Sequence, residues 1–411
     1  MTGTKARLLA ELGRRRTELI DLTASLVRIP SENPPGDTTR VAAFVVRYLR
    51  ERGIRPIVHE PRKGMPNVVA TLGHGRPNLV LSGHLDEFPA GEGWSVPPFG
   101  GVVRGGRIWG RGAGDMRAGL AVALFVTGLL REVAPAPRGR LTLAFASDEE
   151  TGGSWGTEWL LEHVPATRGD ACLIGESSGT WSVGIGEKGV LWLRVRAEGV
   201  SGHAAYALGE SAVAKVLAVL RAAERLQGAR GQPRPSTARI LRRQRAAAER
   251  HWGPGTGRIA ERLTANVGTI RGGGQVNLIP ARCEADVDFR LPPGLTTASV
   301  LRVLRRSANG LRGTAIEVLN RCESYVTPSG TRLVKLVVDN ARELRGLQGL
   351  PVVRPGYTDG RLFRRAGIPT VVYGPRVQAM GGPDESVGVG ELLDVAAVHL
   401  GVVLDYLGIG A

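Results

Sequence analysis

"AGLAVALFVTGLLREVAPAPRGRLTLAFASDEE", residues 118 to 150, decides the fold. Its first half, 118 to 133, is too long and too rich in Leu and Ala for a strand and reads as a helix. Its second half, 140 to 150, is a short apolar run that ends in polar groups, as a buried parallel strand does. "NLVLSGHLD" (78 to 86) upstream and "DACLIGES" (170 to 177) downstream have the same form. Strand, helix and strand in that order make the βαβ rhythm of an α/β sheet. Ligands of such sheets bind beyond the carboxyl ends of the strands, where His84, Asp86, Glu149, Glu150 and Glu176 fall.

A different texture begins near Glu187. "GVLWLRVRAEG" (189 to 199) alternates like a half-exposed strand, "GESAVAKVLAVLRAAERLQG" (209 to 228) is helical, and "TANVGTIRGG" (264 to 273) and "RCEADVDFRL" (282 to 291) alternate again. With "TASVLRVLRRSANG" as a helix and "TAIEVLN" as a strand, the order is β-α-β-β-α-β, that of a small ferredoxin-like domain. Helix and strand resume after Pro328. The expected fold is therefore α/β: a catalytic domain with a mixed, largely parallel sheet over 1–186 and 327–411, interrupted by a smaller α+β domain over 187–326. A length of 411 residues suits two domains.

With 42% apolar and 5% aromatic residues, the chain has an ordinary globular composition. No apolar run is expected to reach the roughly 18 to 20 residues of a membrane span. The start, "MTGTKARLLAELGRRRTELIDL", reads as an amphipathic helix without a signal core, so the cytoplasm is the expected location, without a membrane partner. Cys172, Cys283 and Cys322 are widely spaced and odd in number, which argues against a disulfide framework or a thiolate zinc site. The net charge is +16, from 54 basic and 38 acidic residues. The arginines are scattered, and the local excess at 230 to 252 carries one aromatic and no nucleic-acid motif, so no nucleic-acid partner is expected there and a solvated loop and helix is.

Four motifs carry chemistry. In "SGHLDEFP", His84 and Asp86 lie two apart at a strand end, so both side chains point to one side and Asp86 can orient the imidazole. "GRGAGDMRAG" sets Asp115 in a glycine-rich turn before a helix; it lacks the Lys-Ser/Thr ending of a phosphate loop. "SDEETGG" places Glu149 and Glu150 side by side, and "IGESS" places Glu176 at another strand end. One histidine and several carboxylates make a ligand set for Zn²⁺ or a similar divalent ion.

As a set, and over almost the whole chain, these motifs resemble the co-catalytic zinc amidohydrolases and metallopeptidases that include acetylornithine deacetylase, succinyl-diaminopimelate desuccinylase, aminoacylase and carboxypeptidase G. The resemblance implies that His84, Asp115 and Glu176 hold one metal, and that Asp115 bridges to a second metal also held by Glu150. It makes Glu149 the general base and Asp86 the residue that orients His84. In "SGHAAYALGES" it implies that His203 reaches across a homodimer to the scissile carbonyl, and that the inserted domain is the dimerisation domain. It makes Asn277 and Arg290, in "GGGQVNLIPARCEADVDFR", contacts for the carbonyl or a terminal carboxylate, and puts Thr358, Asp359 and Arg361, in "GYTDGRLF", around the pocket.

One motif departs from the family. In "YGPRVQAMGGPDESV" (373 to 387), Gly381 stands where the family has the histidine of its second metal site. Glycine offers no donor, so that site keeps Asp115 and Glu150, which suit Mg²⁺ or Mn²⁺ better than zinc. Asp384, Glu385, His74 and His163 are the conceivable substitutes. The expectation is one firmly held Zn²⁺, with Co²⁺ or Mn²⁺ possible, and a second ion weak or absent. The expected activity is hydrolysis of an amide in an N-acyl amino acid or small peptide-like substrate. The alternatives are acyl transfer or amide formation on the same fold, or a binding protein that has lost catalysis. Retention of Glu149 and His203 speaks against the last.

Overall fold

Strand Asn78–His84 is buried at all seven positions, so it needs apolar cover on both faces. The computed structural model, which describes residues 3–134, 137–206 and 208–410, supplies it. The strand lies inside an eight-stranded sheet whose order is Pro56–His59, Asn67–Gly73, Arg140–Ala146, Asn78–His84, Ala171–Ile174, Thr370–Val372, Ser182–Glu187 and Leu350–Arg354. Pairing is parallel at the centre, from Arg140–Ala146 through Asn78–His84 and Ala171–Ile174 to Thr370–Val372. It is antiparallel on the flanks, which makes the sheet mixed.

Helix Ala118–Val133 is buried from Ala118 to Leu130 and packs against helices Arg16–Val27 and Val389–Leu407. Together with the preceding turn it forms a 21-residue stretch, Ala113–Val133, of mean hydropathy 1.4. By length and composition that is enough to cross a membrane, which corrects the expectation that no run would be. Small residues between the apolar ones supply the missing length, and the stretch is wholly buried as a core helix. Phe125 is 1% exposed there, and its truncation to Ala is expected to cost about 3–5 kcal/mol. The N-terminal helix Gly3–Arg14 buries Leu8 and Leu12 on one face. All three cysteines are buried and unbridged.

The chain divides into two compact units. The larger comprises 1–185, 327–352 and 358–411, and the smaller 186–326 with 353–357. In the smaller unit the strands Thr264–Gly272, Arg282–Leu291, Gly189–Glu198 and Thr314–Cys322 form one antiparallel sheet in that spatial order. Helices Ala212–Arg225 and Thr297–Ala308 cover one face. Ser211 and Thr296 cap them by accepting from Ala214 N at 3.2 Å and Ser299 N at 3.3 Å. Alternate burial along Arg282–Leu291 shows why the sequence there has period two. The basic stretch forms helix Pro235–Trp252, whose Leu241 and Gln244 face inward.

A third, small sheet in the larger unit orders Val377–Gln378, Ser386–Gly388, Arg107–Trp109 and Val102–Arg104. It ties the glycine-rich turn of Asp115 to the hairpin that carries Gly381.

Candidate metal centre

His84 ends the central strand, paired with Ala146 of its neighbour. Beyond Ala146 the chain turns through Asp148, a non-glycine residue at φ 82° whose carboxylate accepts from the Thr151 hydroxyl and from Trp155 N at 2.9 Å. That turn brings Glu149 and Glu150 back over the strand end. On the other side, strand Ala171–Ile174 pairs in parallel with the central strand up to Ser82 and Ile174, and the buried Glu176 follows its end by two residues. Asp115 arrives on the turn Ala113–Arg117, in a non-helical conformation at φ −121° and ψ 89°.

Among the described residues, one group of His, Cys, Asp and Glu brings its ligand atoms within 4.8 Å of one another: His84, Glu149 and Glu150. Asp115 joins it, its Oδ1 lying 3.1 Å from His84 Nε2. Glu149, expected to be the base, thus lies within the tight group, whereas Glu176, buried just beyond the end of the neighbouring strand, is not one of the three.

Asp86 works differently from a simple side-chain partner. His84 Nδ1 faces the Asp86 backbone carbonyl at 2.9 Å and its Oδ1 at 3.5 Å. A carbonyl only accepts, so the proton of a neutral His84 sits on Nδ1 and its lone pair on Nε2. The Asp86 carboxylate accepts from Asn33 Nδ2 at 2.8 Å, Glu149 N at 3.2 Å and Glu150 N at 3.1 Å. It therefore locks two strand ends together. Burial alone raises the Asp86 carboxyl, but the His84 contact and these donors outweigh it and hold it below its ordinary value.

A cation fits this donor set. The Nε2 lone pair and Asp115 Oδ1 are two acceptors face to face at 3.1 Å, an arrangement that requires a proton or a metal ion. Glu150 Oε1 is buried without a hydrogen-bond partner. Burial, with repulsion from Asp359 and Asp115, pushes the Glu149 carboxyl up to about 8 against the opposing pull of His84 and Arg361. Burial, then repulsion from Asp115 and Glu149, pushes Glu150 up to about 11. A divalent ion among these groups favours their ionised forms.

Thr358, Asp359 and Arg361 are 0%, 3% and 4% exposed and bond to protein groups, so they lie within the fold more than they line open space, and of the three Arg361 is the one beside Glu149. Arg361 donates to Gly152 O at 2.6 Å and to Thr358 O at 3.1 Å, with Nη1 3.9 Å from Glu149 Oε1. Asp359 Oδ2 accepts from Thr157 Oγ1 at 2.5 Å.

Gly381 lies exposed in the hairpin at φ 70°. Of the conceivable substitutes for an imidazole there, three are engaged in contacts of their own. Glu385 is held by Arg111 and by Gly114 N and Asp115 N. Asp384 accepts from Ser95 N at 2.8 Å. His163 stacks on Trp159, with ring centroids 4.5 Å apart, and His74 is exposed. Asn33 and Arg111 are supporting residues that sequence reasoning did not find. Arg111 stands inside the "GRGAGD" motif, but Asn33 is 53 residues from Asp86 in a segment without any motif.

In the smaller unit, His203 is exposed on a turn bridged to Leu278, its Nδ1 accepting from Ala205 N at 3.2 Å. Ala204 N donates to the Asn277 carbonyl at 2.9 Å, so His203 and Asn277 share one loop cluster. Arg290 lies elsewhere in the unit, in an ion pair with Asp288.

Residues 80–405 match the peptidase family M20/M25/M40. A succinyl-diaminopimelate desuccinylase of Cereibacter sphaeroides is 32% identical over 404 residues, spanning 94% of this chain and 98% of that protein. An M20 family metallo-carboxypeptidase from Sulfolobus solfataricus shares the fold at a TM-score of 0.79 and 18% identity, over 95% of this chain and 99% of that one. A dinuclear metal-binding M20 peptidase of Bacillus subtilis superposes at a TM-score of 0.66 and 15% identity, over 96% and 99%.

Proposed function

Because the chain belongs to the peptidase family M20/M25/M40 and is a metal-dependent amidohydrolase, we propose that it removes the acyl group from an N-acyl amino acid, with one divalent ion firmly held and a second weak or absent. The observation that carries this reading is the buried group of His84, Glu149, Glu150 and Asp115, a set of imidazole and carboxylate donors that suits a divalent ion. The desuccinylase relatives favour a dicarboxylic acyl group such as succinyl.

In this reading His84, Asp115 and Glu176 would hold the firmly bound ion, Zn²⁺, with Co²⁺ or Mn²⁺ able to replace it, and Glu150 with Asp115 would serve the second. When bound, such an ion lowers the pKa of water toward neutrality and polarises an amide carbonyl. Glu149 takes the proton of the attacking water and passes it to the leaving nitrogen. Arg361 stands beside Glu149, and Asp86 fixes the His84 tautomer and the backbone of Glu149 and Glu150. With Gly381 lacking a donor and Glu385 held by Arg111, the second ion has only Asp115 and Glu150.

The smaller unit serves as the dimerisation domain. Support comes from the apolar side chains exposed around His203: Tyr206 at 73%, Leu208 at 78% and Val276 at 99%. Asn277 and Arg290 are the proposed substrate contacts of that unit. The test is release of amine from N-succinyl and N-acetyl amino acids with and without a chelator. Release that the chelator abolishes and zinc restores is expected, and chelator-insensitive or absent release refutes the reading.

A further inference from the structure

The basic stretch of residues 230 to 252 takes no part in the metal centre, yet the smaller unit folds it into the wall of a cavity. Helix Pro235–Trp252 is fixed along one face, where Leu241 is buried and the Gln244 side chain exchanges two bonds with Val353, Nε2 donating to its O at 2.9 Å and Oε1 accepting from its N at 2.8 Å. Ala238, Arg242 and Arg245, spaced four and three apart, share the adjoining face. Across a cavity of about 200 Å³ that face meets the segment from Arg230 to Pro233 and the turn at Pro292 and Pro293. The segment is held in place: Gln232 N donates to Gly294 O at 3.3 Å, and a Cβ on Gly231 would stand 2.2 Å from Pro293 O, so glycine is what lets it lie on the turn.

Arg230, Arg242 and Arg245 bring three guanidinium groups to this cavity, and Glu261 brings the one carboxylate. Arg245 donates to Glu261 twice, Nε to Oε1 at 2.5 Å and Nη2 to Oε2 at 2.7 Å, which engages both carboxylate oxygens. Glu249, the next acidic residue along the helix, is engaged as well, accepting from Gly255 N and Gly257 N at 2.6 Å each. Among the described residues, Arg230 and Arg242 meet no carboxylate. Two positive charges therefore face one small volume without compensation, a field that draws an anion. A phosphoryl group matches it, with a charge of about −1.5 to −2 near pH 7 and three acceptor oxygens for forked guanidinium donors. A single carboxylate would bring one charge and two oxygens. The volume sets the size, since it falls below the roughly 300 Å³ at which drug-sized ligands are enclosed, so a phosphoryl group fits with little attached.

We propose that Arg230 and Arg242, beside the Arg245–Glu261 pair, form an anion site that receives a phosphoryl group, as inorganic phosphate or as the monoester of a small molecule. The site lies wholly within the smaller unit and is independent of the amidohydrolase reading.

Isothermal titration of the full chain with inorganic phosphate at fixed ionic strength is the test, alongside titrations with glycerol phosphate and with acetate. Saturable phosphate binding is expected, weakened about 10-fold in Arg242→Gln and by a similar factor in Arg230→Gln, as loss of a charge-assisted bond implies. Both arginines are exposed, so their replacement leaves the fold intact. Arg302→Gln, which removes the same charge from an exposed position on helix Thr297–Ala308, is expected to bind phosphate as wild type does. Tighter binding of glycerol phosphate than of phosphate identifies a phosphorylated small molecule as the ligand, and the reverse order identifies phosphate itself. Wild-type protein that binds no phosphate, acetate bound as tightly as phosphate, Arg230 and Arg242 variants that bind as wild type does, or an equal loss in Arg302→Gln overturns the inference. So does binding of a single-stranded oligonucleotide without binding of phosphate, which would make the basic stretch a nucleic-acid surface.

Discussion

Arg111 and Glu385, each with a side chain 1% exposed, clamp the turn of Asp115 to the loop of Gly381. Arg111 Nη1 donates to Glu385 Oε2 at 2.7 Å, and Nη2 donates to Gly381 O at 3.0 Å. Glu385 Oε1 accepts from Gly114 N at 3.0 Å and from Asp115 N at 3.3 Å. Every acceptor oxygen of Glu385 is thus engaged within the protein, and removing it strands a buried guanidinium. Glu385→Ala is expected to lower unfolding free energy by about 3–5 kcal/mol in urea denaturation, and to lower retained metal because the Asp115 turn loosens. A loss below about 1 kcal/mol would show that the pair holds nothing together.

Glu149→Gln keeps shape and removes the base. Turnover of an N-acyl amino acid is expected to fall by roughly 10²-fold or more, with metal content nearly unchanged. Since Glu149 also lies within the tight ligand group, loss of metal in this variant would exchange its role with that of Glu150.

His399 is 1% exposed, and its Nε2 donates to Tyr373 O at 2.7 Å while Nδ1 is buried without a partner. Burial lowers its pKa from the ordinary 6.5 to about 4. The folded state therefore binds fewer protons than the unfolded state between those values, so the contribution is complete above pH 6.5 and lost as pH falls toward 4. His399→Asn, which carries no titrating group, is expected to flatten the stability profile over that window by on the order of 2–3 kcal/mol relative to wild type. Parallel profiles in denaturant titrations at pH 7 and 4.5 would refute the assignment.

Light scattering at working concentration is expected to give the mass of a symmetric homodimer. A fully active monomer would remove both the assembly and the proposed role of His203.

The strands, the central helix and the β-α-β-β-α-β order were legible because burial on two faces, or on one, writes itself as runs or as alternation. His84, Asp86, Asp115, Glu149, Glu150 and Glu176 were legible because each ends a strand or opens a turn within a short motif. What holds them was not. Asn33 reaches Asp86, and Arg111 reaches Glu385, across 53 and 274 residues of sequence, and no local pattern encodes a long-range hydrogen bond. The commitment of Glu385 to the protein, and hence its unsuitability as a substitute ligand, likewise appears only in three dimensions.

Elemental analysis after exhaustive dialysis, on wild type and Gly381→His together, decides whether the missing imidazole limits the metal centre. A Cβ at Gly381 would approach nothing closer than Phe88 Cδ2 at 3.8 Å, so space is available. The φ of 70° imposes a backbone cost of about 1–2 kcal/mol on a histidine, which a folded domain tolerates. Wild type is expected to retain about one zinc per chain, and Gly381→His about two, because mixed imidazole and carboxylate ligands suit zinc. Two zinc ions retained by the wild-type protein would mean that another group already completes the second site, and that Gly381 costs the enzyme nothing.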